Sequence, residues 1–399
     1  MNVRAGRFPL FDSLRAIAVL CVAVFHTAAY AGGLESDFVL RQYVTRLDVG
    51  VTIFFLISGF LLYRPFVRAR WRGEAAPATG AYAWRRFLRI VPAYWLALTL
   101  VTVMLGVGGV FTVSGMPTFY GFGQIYGYTT ALGGISQAWS ICVEVTFYAF
   151  LPLYALLIRT LIGDRRRLGL ELLAATALLV LSLAYKLWLV STGEHLRPGP
   201  GLLSLPAFLD LFAVGMALAA VSVWLEDRRE APRAVRMLDR FPSLGWLLAL
   251  AAFWLASTRT GAVGGAPSGG QYIARHLLFA VVALGVILPG VFGDPGRGLV
   301  RRVLSNRVLL YIGLVSYGIY LYHPALLVQL DRFGFSPAAG AYPGWLAAGV
   351  GAAVLIASAS YYAVERPLLR LKRLLPPPAE AARGEALAES APAAVPRPG

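Results

Sequence analysis

The sequence predicts an all-α integral membrane protein: a bundle of about ten transmembrane helices with both termini in the cytoplasm. Three observations predict it. Of 399 residues, 58% are hydrophobic and only 14% charged, with mean hydropathy +0.66, against roughly a quarter charged in soluble domains. Apolar runs of about 20 residues, each near the length that crosses roughly 30 Å of hydrocarbon as helix, recur along the chain. Between them the basic residues alternate in density, 28 Lys and Arg in one set of loops and tails against 5 in the other, as the positive-inside rule requires. The net charge of +16 therefore reads as topology, and a nucleic-acid partner is not expected.

The first span, about residues 10–30, holds FDSLRAIAVLCVAVFHT and carries Asp12, Arg15 and His26. Arg15 and His26 are eleven residues apart, roughly 16 Å of rise and about three turns, so they share a face. Asp12 lies on that face too. A charged side chain inside a span costs a few kcal/mol, so the face suggests a polar track. The plainer alternatives are an Arg15 that snorkels to the interface and a His26 bonded to a neighbouring carbonyl. Ala29-Tyr30-Ala31 resembles a signal cleavage site, but the many apolar segments that follow favour a retained span.

The second span, about 47–63, contains Gly50, Phe54-Phe55 and Ser58-Gly59-Phe60. A basic loop follows and ends at Arg85, Arg86 and Arg89. Arginines at i and i+3 can clasp a phosphate from one helical face, although a plain topological cluster explains them as well. After the third span, about 90–110, a Gly-, Ser- and aromatic-rich outer loop is long enough for re-entrant pieces. The fourth span, about 138–158, places Ser140, Glu144 and Tyr148 at i, i+4 and i+8, on one face. Spans at about 168–190, 204–225, 243–258 and 272–292 carry Lys186 and Arg275 but no recognisable motif. The ninth, about 309–329, places Ser316, Tyr320 and His323 on one face. The tenth spans about 343–363. Residues 1–370 thus read as one polytopic domain, and the Pro-, Ala- and Glu-rich 371–399 as a disordered cytoplasmic tail.

The two cysteines, Cys21 and Cys142, both fall inside spans, and neither a disulfide framework nor a metal-ligand spacing is present, so no metal is expected. P-loop, GxGxxG, HExxH and GxSxG motifs are absent. The simplest chemistry open to these residues is a histidine general base acting on a hydroxyl. His26, Glu144 and His323 fall at similar depth, and Glu144 is expected to pair with one of the two histidines. Each could alternatively be an interhelical hydrogen bond worth about 0.6–2 kcal/mol.

Several segments, in order, resemble the acyltransferase-3 family of bacterial membrane O-acyltransferases, over roughly residues 8 to 370. The basic residue and histidine of its first helix are matched by Arg15 and His26. Its SGF segment is matched by Ser58-Gly59-Phe60, and its RxxR by Arg86 and Arg89. WSxxxExxFY is matched by Trp139, Ser140, Glu144, Phe147 and Tyr148. SYxxYLxH is matched by Ser316, Tyr317, Tyr320, Leu321 and His323, and an ExP-like ending by Glu365-Arg366-Pro367.

The resemblance implies acyl-CoA as a cytoplasmic co-substrate, with no permanently bound cofactor, and a carbohydrate or other hydroxyl as acceptor. It implies catalysis by His26, and donor handling by Arg15, Arg86 and Arg89. Some members carry a further helix and an esterase-like domain; with neither in this sequence, transfer is expected to finish within the membrane unit. Asp12, Ser58, Ser140, Tyr148, Ser316, Tyr320 and His323 are further polar candidates. A transporter or exporter using the same Arg/His/Glu track is the alternative, disfavoured because no inverted repeat is visible.

Overall fold

The structure is a computed structural model, and it describes residues 8–30, 40–164, 167–226, 228, 230–261, 265–294, 296–334 and 342–374. The expected tail beyond residue 374 lies outside the described residues. The protein is 79% helical with no strands among the described residues. Among the described residues, eight helices are long and apolar enough to cross a membrane, and up to ten if two bent pairs each count as one span. It is an all-α, multi-pass protein of the cell membrane.

In chain order the principal helices are α1 Phe11–Tyr30, α2 Val49–Arg72, α3 Thr79–Leu105, α4 Trp139–Ile162, α5 Leu168–Ser191, α6 Leu205–Glu226, α7 Arg233–Arg240, α8 Ser243–Arg259, α9 Gly269–Val291, α10 Arg307–Leu314, α11 Ser316–Arg332 and α12 Tyr342–Ser360. Helices α7 and α8 meet at 89°, and α10 and α11 at 73°. The expected ninth span is therefore two pieces. The first piece lies across the start of α1, where a Cβ on Gly313 would stand 1.8 Å from the Asp12 carbonyl oxygen. Only glycine allows that approach.

Boundaries differ from the sequence reading around the basic loop and the tail: α2 runs on to Arg72, nine residues past its expected end. The expected basic loop before residue 90 is helical from Thr79, because Ala81, Tyr82 and Leu88 supply a buried stripe among the arginines. The Tyr82 ring packs on Phe66 with centroids 5.8 Å apart. Residues Arg370–Leu374, at the edge of the expected tail, form a 3-10 turn. Trp84 Nε1 donates to the Leu371 carbonyl at 3.0 Å and ties that turn to α3.

The core is centred on α2 and α6. A Cβ on Gly59 would stand 2.2 Å from the Phe212 carbonyl oxygen, and one on Gly215 2.2 Å from that of Leu56. Small residues at facing positions let two helix backbones touch, which is how apolar helices gain packing energy when lipid competes for their side chains. Phe147 of α4 stacks on Phe212 at 4.0 Å and brings α4 alongside.

Several buried charges are paired, as a low-dielectric interior favours. At the arginine-rich end, Arg64 pairs with Glu226, which Arg72 also reaches at 3.0 Å, and Arg70 pairs with Glu171. Toward the opposite end, Lys186 Nζ is 2.8 Å from Asp210, and His276 Nε2 is 2.9 Å from the same carboxylate. That pairing accounts for a lysine inside a span.

Candidate active site

Five helices line an open cavity of about 730 Å³, its mouth included, in the arginine-rich half of the bundle. Helix α1 contributes Arg15, α2 contributes Ser58, and α3 contributes Arg86 and Arg89. Helix α4 contributes Ser140, Glu144 and Tyr148, and α11 contributes Ser316, Tyr317 and Tyr320. The remaining wall is apolar, including Phe54, Phe55, Leu61 and Ile141. Three guanidinium groups therefore face one carboxylate, Glu144, among the lining residues. Arg15 has its own carboxylate partner, Asp12, outside the lining, so the surplus that suits an anionic guest is that of Arg86 and Arg89 over Glu144.

Local geometry fixes these side chains. The close contact at Gly59 sets the rotation of α2, and the preceding Ser58 then points at α4, where its Oγ donates to Glu144 Oε1. Arg15 Nη1 donates to Asp12 Oδ1 at 2.7 Å, one turn back on α1. The Arg86 guanidinium lies 5.9 Å from the centre of the Tyr148 ring, within cation–π range. Tyr317 donates to the Ile90 carbonyl at 2.8 Å and holds α11 against α3.

The cavity ends at a knot of polar groups. Tyr320 Oη donates to the Gln137 carbonyl at 2.8 Å and lies 2.6 Å from Ser140 Oγ. Gln137 Nε2 donates back to the carbonyls of Tyr320 and Leu321 at 2.9 and 3.1 Å. Gln137 also lines a second hollow, of about 480 Å³, which Tyr30, Leu105 and Pro324 border at the opposite end. The knot thus separates the two spaces. Beside it stand two histidines: His323 Nε2 is 3.1 Å from His26 Nδ1, and the rings are 5.0 Å apart. The His323 and Tyr320 ring centres are 6.1 Å apart.

A family model described as an acyltransferase domain matches residues 9–362. The chain belongs to the acyltransferase-3 family. A Staphylococcus aureus protein named as a candidate O-acetyltransferase is 23% identical over 90% of this chain and 57% of its own length. Nodulation protein 10 of Rhizobium leguminosarum bv. viciae is 26% identical over 82% of this chain and 83% of its own. Peptidoglycan O-acetyltransferase OatA of Listeria monocytogenes is 23% identical over 79% of this chain and 48% of its own. The chain thus spans about half the length of the Staphylococcus and Listeria relatives. No solved structure matches the chain.

In this acyltransferase-3 protein, the segments that carry the resemblance meet in space: SGF, RxxR and WSxxxE all contribute side chains to the cavity. Asp12, His26 and His323 are not among its lining residues. Two expectations are corrected. Glu144 bonds Ser58 and not a histidine, because Ser58 faces it across the α2–α4 contact while the histidines pair with each other. The polar track suggested by the shared face of Arg15 and His26 is not one continuous cavity, because the Tyr320–Ser140–Gln137 knot closes it first. Sequence reasoning missed Gln137 as a site residue. Its one signal was its place immediately before Trp139-Ser140, where an amide entering a span needs partners. Among the described residues, no group of three or more His, Cys, Asp or Glu is placed to hold a metal ion.

Proposed function

We propose that this protein is a membrane O-acyltransferase that moves acetyl or a similar short acyl group from cytoplasmic acyl-CoA to a hydroxyl of a carbohydrate or glycosylated acceptor. The observation that carries the reading is the convergence of Arg15, Arg86 and Arg89 on one cavity that reaches toward the histidine pair. The surplus of basic loops on the side of Arg64 to Arg89 supports a cytoplasmic mouth, where coenzyme A is made. The O-acetyltransferase names of two relatives support the reaction type.

In this reading Arg86 and Arg89 bind the phosphates of coenzyme A through forked, charge-assisted hydrogen bonds. The pantetheine arm follows the cavity past Arg15, and its thioester reaches the histidines once Tyr320 turns away from Ser140. Glu144, held by Ser58, balances the guanidinium charge. His26 takes the proton of the acceptor hydroxyl as its oxygen bonds to the thioester carbon. The C–S bond breaks, and the sulfur leaves with the electron pair and takes up the proton as coenzyme A thiol.

The test is acceptor-dependent thiol release from acetyl-CoA by purified protein in detergent, where no gradient exists to drive transport. Steady release with an alcohol acceptor is expected. An intact acetyl-CoA pool in the presence of a range of hydroxyl acceptors would return the protein to the transporter reading.

A further inference from the structure

We propose that His323 is a positioning residue that fixes the tautomer of His26 and leaves the bare lone pair on His26 Nε2. The proposal rests on the reading of His26 as the proton acceptor, and adds which atom accepts and what holds it ready.

The assignment follows from what the neighbours can do. A carbonyl oxygen only accepts, and a neutral imidazole has one donor and one acceptor nitrogen. His323 Nδ1 stands 3.0 Å from the carbonyl oxygens of both Ile319 and Tyr320. Nδ1 of His323 therefore carries the proton, and its Nε2 presents a lone pair. That lone pair faces His26 Nδ1 at 3.1 Å, so His26 Nδ1 must be the one with the proton. Its other neighbour agrees: the Val22 carbonyl oxygen, 3.0 Å away, also needs a donor. All four contacts are satisfied by one pattern, with both rings protonated at Nδ1.

The reverse pattern fails twice. A lone pair on His26 Nδ1 would point at the Val22 carbonyl. A proton on His323 Nε2 would make that ring a cation, since its Nδ1 is already committed, at a site only 2% exposed. Burying an unpaired charge there is costly.

The ring of His26 thus keeps Nε2 free, and among the described residues no hydrogen bond occupies that atom. A histidine in water favours the opposite tautomer, with the proton on Nε2, where it would block proton acceptance. In the transfer step the acceptor proton goes to Nε2 and then to the departing sulfur. Throughout, the Nδ1 proton stays between Val22 and His323.

The chain has four histidines, which makes a direct reading possible. Solid-state nitrogen NMR of the full protein in lipid, labelled on the histidine rings, reports the protonated nitrogen of each. The His26 and His323 signals are those lost in His26→Gln and His323→Gln. Wild type is expected to show both rings neutral with hydrogen on Nδ1; hydrogen on Nε2 of His26 overturns the proposal.

Kinetics supply the second arm. His323→Phe removes the acceptor, so kcat is expected to fall about 3–10-fold, the scale of one neutral hydrogen bond, at unchanged donor KM. The His26 signal should then shift toward mixed tautomers. His323→Gln can still accept through Oε1 and is expected to recover most of kcat. A His323→Phe protein with wild-type kcat and an unchanged His26 signal also overturns the proposal. Should His323→Phe fail to fold, the wild-type spectrum decides. Because the spectrum needs no turnover, absence of acyl transfer would count against the proposed function and not against the tautomer.

Discussion

Glu144 shows how a single side chain separates charge from packing. It accepts a hydrogen bond from Ser58 and faces a cavity lined by Arg15, Arg86 and Arg89. Glu144→Gln retains an oxygen for Ser58 and loses only the charge. We expect the melting temperature in detergent to stay near wild type while acyl transfer falls by about tenfold, the scale of one charge-assisted hydrogen bond. Full turnover in Glu144→Gln would reduce the residue to a tie between α2 and α4. At this scale the sequence was informative about faces and silent about partners. Helical spacing alone puts Ser140, Glu144 and Tyr148 on one side of α4, and all three line the cavity. Spacing carries nothing about which helix stands opposite, so the sequence offers Glu144 a histidine where the structure gives it Ser58. The same gap hid Gln137, whose partners are backbone carbonyls of α11.

The α2–α6 contact is the element on which the cavity depends. A Cβ on Gly59 would meet the Phe212 carbonyl, which is backbone and cannot swing aside. Gly59→Ala is expected to cost about 1–3 kcal/mol, as overpacking does, and to lower activity by turning Ser58 away from Glu144. Thermal denaturation in detergent measures the first effect; a variant as stable and active as wild type would show that α2 and α6 have slack. The spans themselves were legible because each is an apolar run of the required length. The helical start of α3 was not, since arginines read as loop on hydropathy while the buried stripe of Ala81, Tyr82 and Leu88 emerges only against its neighbours. The break between α10 and α11 was hidden for a similar reason. It depends on Gly313 meeting the Asp12 backbone, and Asp12 is some 300 positions away in the sequence.

Over the whole molecule, charge, cavity and histidine pair line up along one axis. The basic surplus predicts both termini in the cytoplasm. Reporter fusions after Arg72 and after Tyr128 are expected to report opposite sides, the first cytoplasmic; the reverse result would move the donor mouth to the wrong compartment. The division of labour along that axis is the central claim, with guanidinium groups for the donor at one end and the histidine pair for the chemistry at the other. A single acetyl-CoA concentration series on wild type, Arg89→Ala and His26→Ala tests it most directly. Arg89→Ala is expected to raise donor KM by about 10–100-fold, the worth of a charge-assisted hydrogen bond, with kcat little changed and lysine rescuing only in part. His26→Ala is expected to lose about 10²–10⁴-fold in kcat with donor KM near wild type. Near-normal kcat in well-folded His26→Ala, or a donor KM in Arg89→Ala that superimposes on wild type, would contradict it.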